Sequence, residues 1–356
     1  MNLPRVKRIM GEQGLDGLVA TTVENIYYLS GMWEMSVEMF PHDAQAYVVN
    51  TADTLDKPVV VTSVGDADMT LACDPRPGDV ITYGSFNRYL PDGCSLDPDE
   101  RHVLERTASP RASALEGLCA ALESAGLAGK TVGLDERGLN PSYLPQVQER
   151  FPSMKIVPAA QIFRTMRMSK TDEELKRMIG ALRATEAAMR ATVASARAGV
   201  TERELFHVFE KAIVENHARP GFTLIRFGKG MALGQVPSGD ATLTEGDYIW
   251  FDVGCTYAGY RSDIGRIWPY GEPSRKVRDY FAASKAGQTT AIEMMKPGVR
   301  AKDVFEAAVN RVRDAGIPHY QRHHVGHGIG IEYYDAPVLA PAYDTPLEEG
   351  MVFEVE

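Results

Sequence analysis

The sequence predicts an α/β (α+β) chain in two parts: a smaller N-terminal domain over residues 1–160 and a C-terminal domain over 161–356 built on an internal repeat. Three observations predict it. Short apolar runs of strand length alternate with helical periodicity through the first half. Strong helix-start signals begin at Ser169, where the character of the chain changes. Finally, two stretches of the second half echo one another in glycine, apolar run and acidic end.

In chain order, a helical pattern over Val6–Gln13 ends at Gly14, followed by an apolar run from Gly17 to Thr21 and the segment NIYYLSG, Asn25–Gly31, both read as strand-like. Ala46–Asn50 and Val59–Thr62 have strand character, and a helix over Ala112–Ala125 stops at Gly126. Strand-like Thr131–Leu134 and Lys155–Pro158 flank a further helix, and the boundary falls near Arg164. Thr171 with Glu174 forms a capping box that opens a helix, and Leu175, Met178, Ile179, Leu182, Met189 and Val193 recur at helical spacing until Gly199. Thr201 with Glu204 opens the next, through about Asn216.

The chain then repeats itself. GVTERELFHVFEKA, Gly199–Ala212, is echoed by GVRAKDVFEAAVNR, Gly298–Arg311, and LTEGDYIWFD, Leu243–Asp252, by LEEGMVFEVE, Leu347–Glu356. Asp252 thus corresponds to Glu356, and similar blocks packed together would feed a pseudo-twofold site with a carboxylate from each half. Between Gly246 and Arg266, Asp252 and Asp263 stand eleven residues apart in two apolar runs, read as a hairpin whose turn is punctuated by Gly254 and Gly259, with a second strand around Tyr260–Trp268. Asp252 as a turn cap and Asp263 as an ion-pair partner of Arg261 or Arg266 is the purely structural alternative.

Composition narrows the function. The 356 residues carry 48 acidic against 38 basic side chains, a net charge of −10, which disfavours nucleic acid or an anionic membrane as the main partner. The N-terminus lacks an apolar signal core, and no apolar run approaches spanning length, so neither secretion nor a membrane span is expected. Cys73, Cys94, Cys119 and Cys255 have no metal-binding spacing and read as free thiols of a cytoplasmic protein. The glycine-rich HHVGHGIGIEYYDAP contributes His323, His324 and His327. Carboxylates with an imidazole suit a hard to borderline divalent cation, Mn²⁺, Co²⁺, Zn²⁺ or Fe²⁺.

These residues resemble the creatinase, prolidase and aminopeptidase P group of the pita-bread metallopeptidase family, over essentially the whole chain. Gly14–Gly31 resembles the group's smaller N-terminal domain and the second half its catalytic domain. The resemblance implies two divalent metal ions, Mn²⁺ foremost, held in ligand order by Asp252, Asp263, His327 and Glu356, with Glu356 also the general base and His323 steadying developing charge. It implies a homodimer acting on a small peptide or small amide. A fifth family ligand, a Glu, would lie beyond Glu356, so the catalytic domain is expected to be incomplete at its C-terminal end and to hold at most one metal tightly. His324 is read as a surface or outer residue of the site, and Glu354, sharing a strand face with Glu356, as an outer residue.

Two substrate-binding positions depart from the family pattern. Gln235, in ALGQ seventeen residues before Asp252, stands where proline-specific members carry a histidine, and Tyr334, seven after His327, replaces another. Both can donate a neutral hydrogen bond, but neither takes up a proton to become cationic near neutral pH as histidine does. The expected activity is therefore a metal-dependent hydrolase resembling Xaa-Pro dipeptidase or aminopeptidase P, weak on ordinary Xaa-Pro dipeptides. The alternatives are a creatinase-like hydrolase or lyase of a small C–N substrate and, in the manner of a histone chaperone's peptidase-like domain, a binding module.

Overall fold

The computed structural model describes residues 1–356, which divide into two compact units, Met1–Met166 and Arg167–Glu356. The first is a six-stranded mixed sheet of β1 (Gly17–Ala20), β2 (Tyr47–Thr51), β3 (Val59–Ser63), β4 (Asp79–Tyr83), β5 (Thr131–Leu134) and β6 (Lys155–Pro158), in the order β4-β3-β2-β1-β5-β6. Val19, Tyr47, Val49 and Val61 pack with Leu118 and Leu122 of the helix Ala114–Ser124, a core on one sheet face. Asn25–Gly31 is not a strand: Val23–Ser30 is a helix closed by Gly31. Its residues Ile26 and Leu29, three apart, are both buried, as neighbours on one helix face.

The second unit holds two smaller sheets. The first has β7 (Arg219–Phe227), β8 (Tyr248–Tyr257), the short β9 (Tyr260–Arg261) and β10 (Ile264–Pro269), all antiparallel around β8. The second has β11 (Gly326–Gly328) between β12 (Asp335–Val338) and β13 (Phe353–Val355), again antiparallel. Ile249, Phe251, Val253 and Cys255 alternate along β8 and pack with Ala181, Ala184, Leu205 and Phe209 of the helices Asp172–Ala194 and Glu202–Glu215. Burying each Ile- or Phe-sized side chain contributes about 1.5–3 kcal/mol. By the same alternation, Trp250 and Asp252 lie on the opposite face.

The internal repeat is written in the backbone. Gly199 N–H donates to Leu243 O (2.9 Å) and Leu243 N–H to Val200 O (2.9 Å); in the second half Gly298 donates to Leu347 O (2.9 Å) and Leu347 to Val299 O (2.8 Å). Glu202 N–H to Ala241 O and Arg203 N–H to Gly239 O are matched by Ala301 to Thr345 and Lys302 to Tyr343, all at 2.9–3.1 Å. Each half has its own core, the second around Val304, Ala308, Val325, Leu339 and Leu347.

The hairpin differs from its sequence reading at one glycine. Gly254 does not punctuate the turn but lies within β8, where a Cβ would stand 2.2 Å from Ser262 O; the turn itself is Ala258–Gly259. Glycine is required there by the close passage of the returning strand. No helix is long and apolar enough to cross a membrane, and all four cysteines are free.

Candidate metal centre

The site grows from the two small sheets. In β8, Asp252 pairs across to Leu224 of β7 and Gly265 of β10, so its carboxylate leaves a strand braced on both sides. Asp263 sits in the break between β9 and β10, where Ser262 turns its hydroxyl back to accept from Cys255 N–H (3.1 Å). In the second sheet, His327 of β11 lies opposite Glu354 of β13, and Glu356 follows β13 directly, its N–H donating to Val325 O (3.1 Å). Gly326 has φ +148°, and a Cβ there would meet Glu354 O at 2.2 Å; only glycine lets β11 and β13 approach so closely.

His327 is 1% exposed. Its Nδ1 lies 3.0 Å from Gly328 O, and because a carbonyl only accepts, Nδ1 carries the proton and Nε2 presents its lone pair. That Nε2 stands 3.8 Å from Asp263 Oδ2 and 3.9 Å from Glu354 Oε2. The donor atoms of His327, Glu354 and Glu356 all lie within 4.8 Å of one another. Burial and crowding among like charges raise the carboxylates together. Burial first, then Glu356, pushes Asp252 up to about 6 against the pull of Arg322. Burial with Asp252 and Glu356 pushes Asp263 up to about 7. Burial, then Glu356, Asp263 and Asp252, pushes Glu354 up to about 9. Burial also lowers His327 and His324, disfavouring their charged forms.

The structure brings together Asp252, Asp263, His327 and Glu356, four of the residues singled out in the sequence, and adds Glu354 among them. Tyr334 also belongs here: its ring stacks on His327 at 3.6 Å between centroids and 20° between planes, and its hydroxyl lies 3.4 Å from His324 Nε2. The residue after it, Asp335, is buried and held by Arg167 Nη2 at 3.0 Å and Lys170 Nζ at 3.6 Å, which anchors the segment. The two adjacent histidines separate. His324 is buried rather than on the surface, with Nδ1 3.2 Å from Glu356 Oε1, whereas His323 is exposed and meets the ring of His324. Arg322 pairs with Glu356 Oε2. Gln235 is exposed in the loop after the 3₁₀ turn Gly228–Leu233.

The donor set fits divalent metal. It offers one imidazole and four carboxylates, the hard to borderline ligands that Mn²⁺, Zn²⁺ or Fe²⁺ prefer. Glu354 Oε2 is buried with no hydrogen-bond partner, and such an oxygen is costly unless something else meets it.

Comparison with known proteins agrees with that chemistry. The sequence pattern of metallopeptidase family M24 matches residues 176–356, and that of the creatinase/prolidase N-terminal domain matches residues 3–169. The chain belongs to metallopeptidase family M24. This M24 chain is 30% identical over 230 residues to a Xaa-Pro dipeptidase of Lactobacillus helveticus, covering 64% of the chain and 62% of that protein. It is 30% identical over 229 residues to a Xaa-Pro dipeptidase of Pyrococcus furiosus, covering 64% and 66%. The match thus spans less than two thirds of these relatives' own length. The solved Xaa-Pro dipeptidase from Bacillus anthracis superposes with a TM-score of 0.78 at 21% identity, over 99% of this chain and 88% of that one, a shared fold.

Proposed function

We propose that this M24 chain is a metal-dependent hydrolase of the amide bond in a small peptide, with Xaa-Pro dipeptides the substrate class to which its relatives' names point. The observation that carries the reading is the gathering of carboxylates at a buried His327, with Asp263 3.8 Å from its Nε2, Glu356 within 4.8 Å of it and Asp252 close enough to act on Asp263. Bound divalent ions, Mn²⁺ foremost, would supply hydroxide near neutral pH and polarise the scissile carbonyl. Asp252, Asp263, His327 and Glu356 would hold them, and Glu356 would accept the proton of the attacking water. Arg322 and His324, both against Glu356, orient that carboxylate. His324 therefore takes over the support of Glu356, and exposed His323 is left to meet substrate. Tyr334 lies over His327 with a hydroxyl able to donate to a substrate oxygen, and Gln235 offers a neutral amide from its loop. The relatives do not favour the creatinase-like alternative.

Four free cysteines suit a reducing, cytoplasmic setting, and a homodimer is the assembly to look for in solution. The test is hydrolysis of Xaa-Pro dipeptides, Xaa-Ala dipeptides and small amides by Mn²⁺-loaded protein, with Asp263→Asn as control. Turnover of an Xaa-Pro dipeptide, weak at first and raised by Gln235→His or Tyr334→His, is the expected result. A protein that binds Mn²⁺ yet cleaves no peptide sinks the proposal.

A further inference from the structure

We infer that Glu354 is itself a metal donor, so that β13 delivers two carboxylates, Glu354 and Glu356, where the family resemblance assigns one. This rests on the reading of the cluster as a metal centre given above. Along an extended strand, side chains two apart share a face, which turns Glu354 and Glu356 the same way. Glu354 is also the direct register partner of His327 across the β11–β13 ladder, so the two side chains start from neighbouring backbone positions.

The distances then discriminate between roles. A hydrogen bond between Glu354 and His327 would need about 2.7–3.2 Å, but Oε2 and Nε2 stand 3.9 Å apart, and Asp263 Oδ2 keeps 3.8 Å from the same nitrogen. Neighbouring donors on one divalent ion with bonds of about 2.1 Å lie roughly 3.0–3.5 Å apart. The donor atoms of His327, Glu354 and Glu356, all within 4.8 Å of one another, thus gather without His327 and Glu354 bonding directly. His327 is 1% exposed, its Nδ1 is already committed to Gly328 O, and its Nε2 lies among these carboxylates. Glu354 Oε2 is buried and unpartnered, so no protein group occupies the role an outer-sphere carboxylate would fill, which is to accept from a ligand's N–H.

Charge balance agrees. Four carboxylates gather here, and Arg322, itself paired with Glu356, is the cation acting on Asp252 and Glu354. Divalent cations would offset that excess, and a glutamate touching them directly would do so most effectively.

The experiment is Mn²⁺ titration by calorimetry, with Co²⁺ visible spectra, on the full metal-stripped chain, comparing wild type, Glu354→Gln, Glu354→Asp and Asp263→Asn. Far-UV circular dichroism confirms that each variant is folded. As a donor, Glu354→Gln should weaken the tight Mn²⁺ site by more than the ~10–100-fold typical of an outer-sphere loss. It should also alter the Co²⁺ ligand-field bands, and Glu354→Asp should recover part of the affinity. An unchanged Co²⁺ spectrum in Glu354→Gln overturns the inference whatever the affinity. If wild type binds and Asp263→Asn does not, such a result leaves the metal centre standing and removes only Glu354. A wild type that binds neither ion removes both.

Discussion

The first repeat, Gly199–Asp252, and the second, Gly298–Glu356, are closed by the same four backbone hydrogen bonds. They even share an exposed ion pair, Arg203–Asp240 at 3.0 Å and Lys302–Asp344 at 2.6 Å. Among the buried positions where they differ, the one that changes charge has Glu202 in the first and Ala301 in the second. Glu202 accepts from Phe227 N–H (2.9 Å), Gly239 N–H (3.0 Å) and Arg226 Nε (3.1 Å), while Arg226 Nη1 donates to Val236 O (2.7 Å). Both ends of the loop carrying Gln235 are thereby clamped. The second half steadies its counterpart, the Tyr334 segment, from elsewhere, through Arg167 and Lys170 on Asp335. What closes each half is duplicated; what holds the segments carrying Gln235 and Tyr334 is particular to each.

That comparison can be broken most forcefully at the donors. If the halves build one shared centre, Asp263→Asn from the first and His327→Ala from the second should each reduce metal affinity by more than the ~10–100-fold of an outer-sphere loss, with activity falling in step. Retained tight binding in one of the two would show that the halves act separately. Next comes the clamp. Glu202→Ala gives the first half the alanine of the second and leaves the largely covered Arg226 without its carboxylate, a loss approaching the ~3–5 kcal/mol of a broken buried pair. Urea denaturation should register this loss while Mn²⁺ affinity stays within a few-fold; an unchanged midpoint would mean the clamp is ornamental.

pH gives a smaller effect. A carboxyl raised on folding binds its proton more tightly in the native state, so its contribution is present below the unfolded value and lost as pH rises through the folded one. Asp263 completes that loss near 7 and Glu354 near 9, whereas the depressed histidines add instability only as pH falls below about 6.5. The metal-free protein should therefore melt at progressively lower temperature from pH 7 to 9, and Glu354→Gln should flatten that slope. A wild-type melting point constant across the window would contradict it. Smallest of all, Arg203→Ala and Lys302→Ala, the duplicated exposed pairs, should leave stability indistinguishable from wild type by the same urea measurement, since such pairs are screened by solvent.

Much of this was legible in sequence. The capping boxes at Thr171 and Thr201 place two helices, and the Asp252–Asp263 spacing with the GHGIG context points to three of the side chains that the fold gathers. Where reading failed, the missing quantity was non-local. The helix Val23–Ser30 was hidden because NIYYLSG is short and rich in residues that suit either element. His323 and His324 are neighbours in a glycine-rich turn with no period to tell inward from outward, so burial of the second had no local signal. Glu354 shares a face with Glu356 by simple alternation, but its pairing with His327 depends on the register of two strands 27 residues apart.

The ring stacked on His327 has a consequence for observation. At 3.6 Å and nearly parallel, the phenol of Tyr334 places the imidazole protons in its shielding cone. Among the eight histidines of the chain, the proton resonances of His327 should be displaced upfield. Magnetic resonance then has an intrinsic, label-free signal at the centre of the cluster, and any rearrangement of that ring pair on loading would move it.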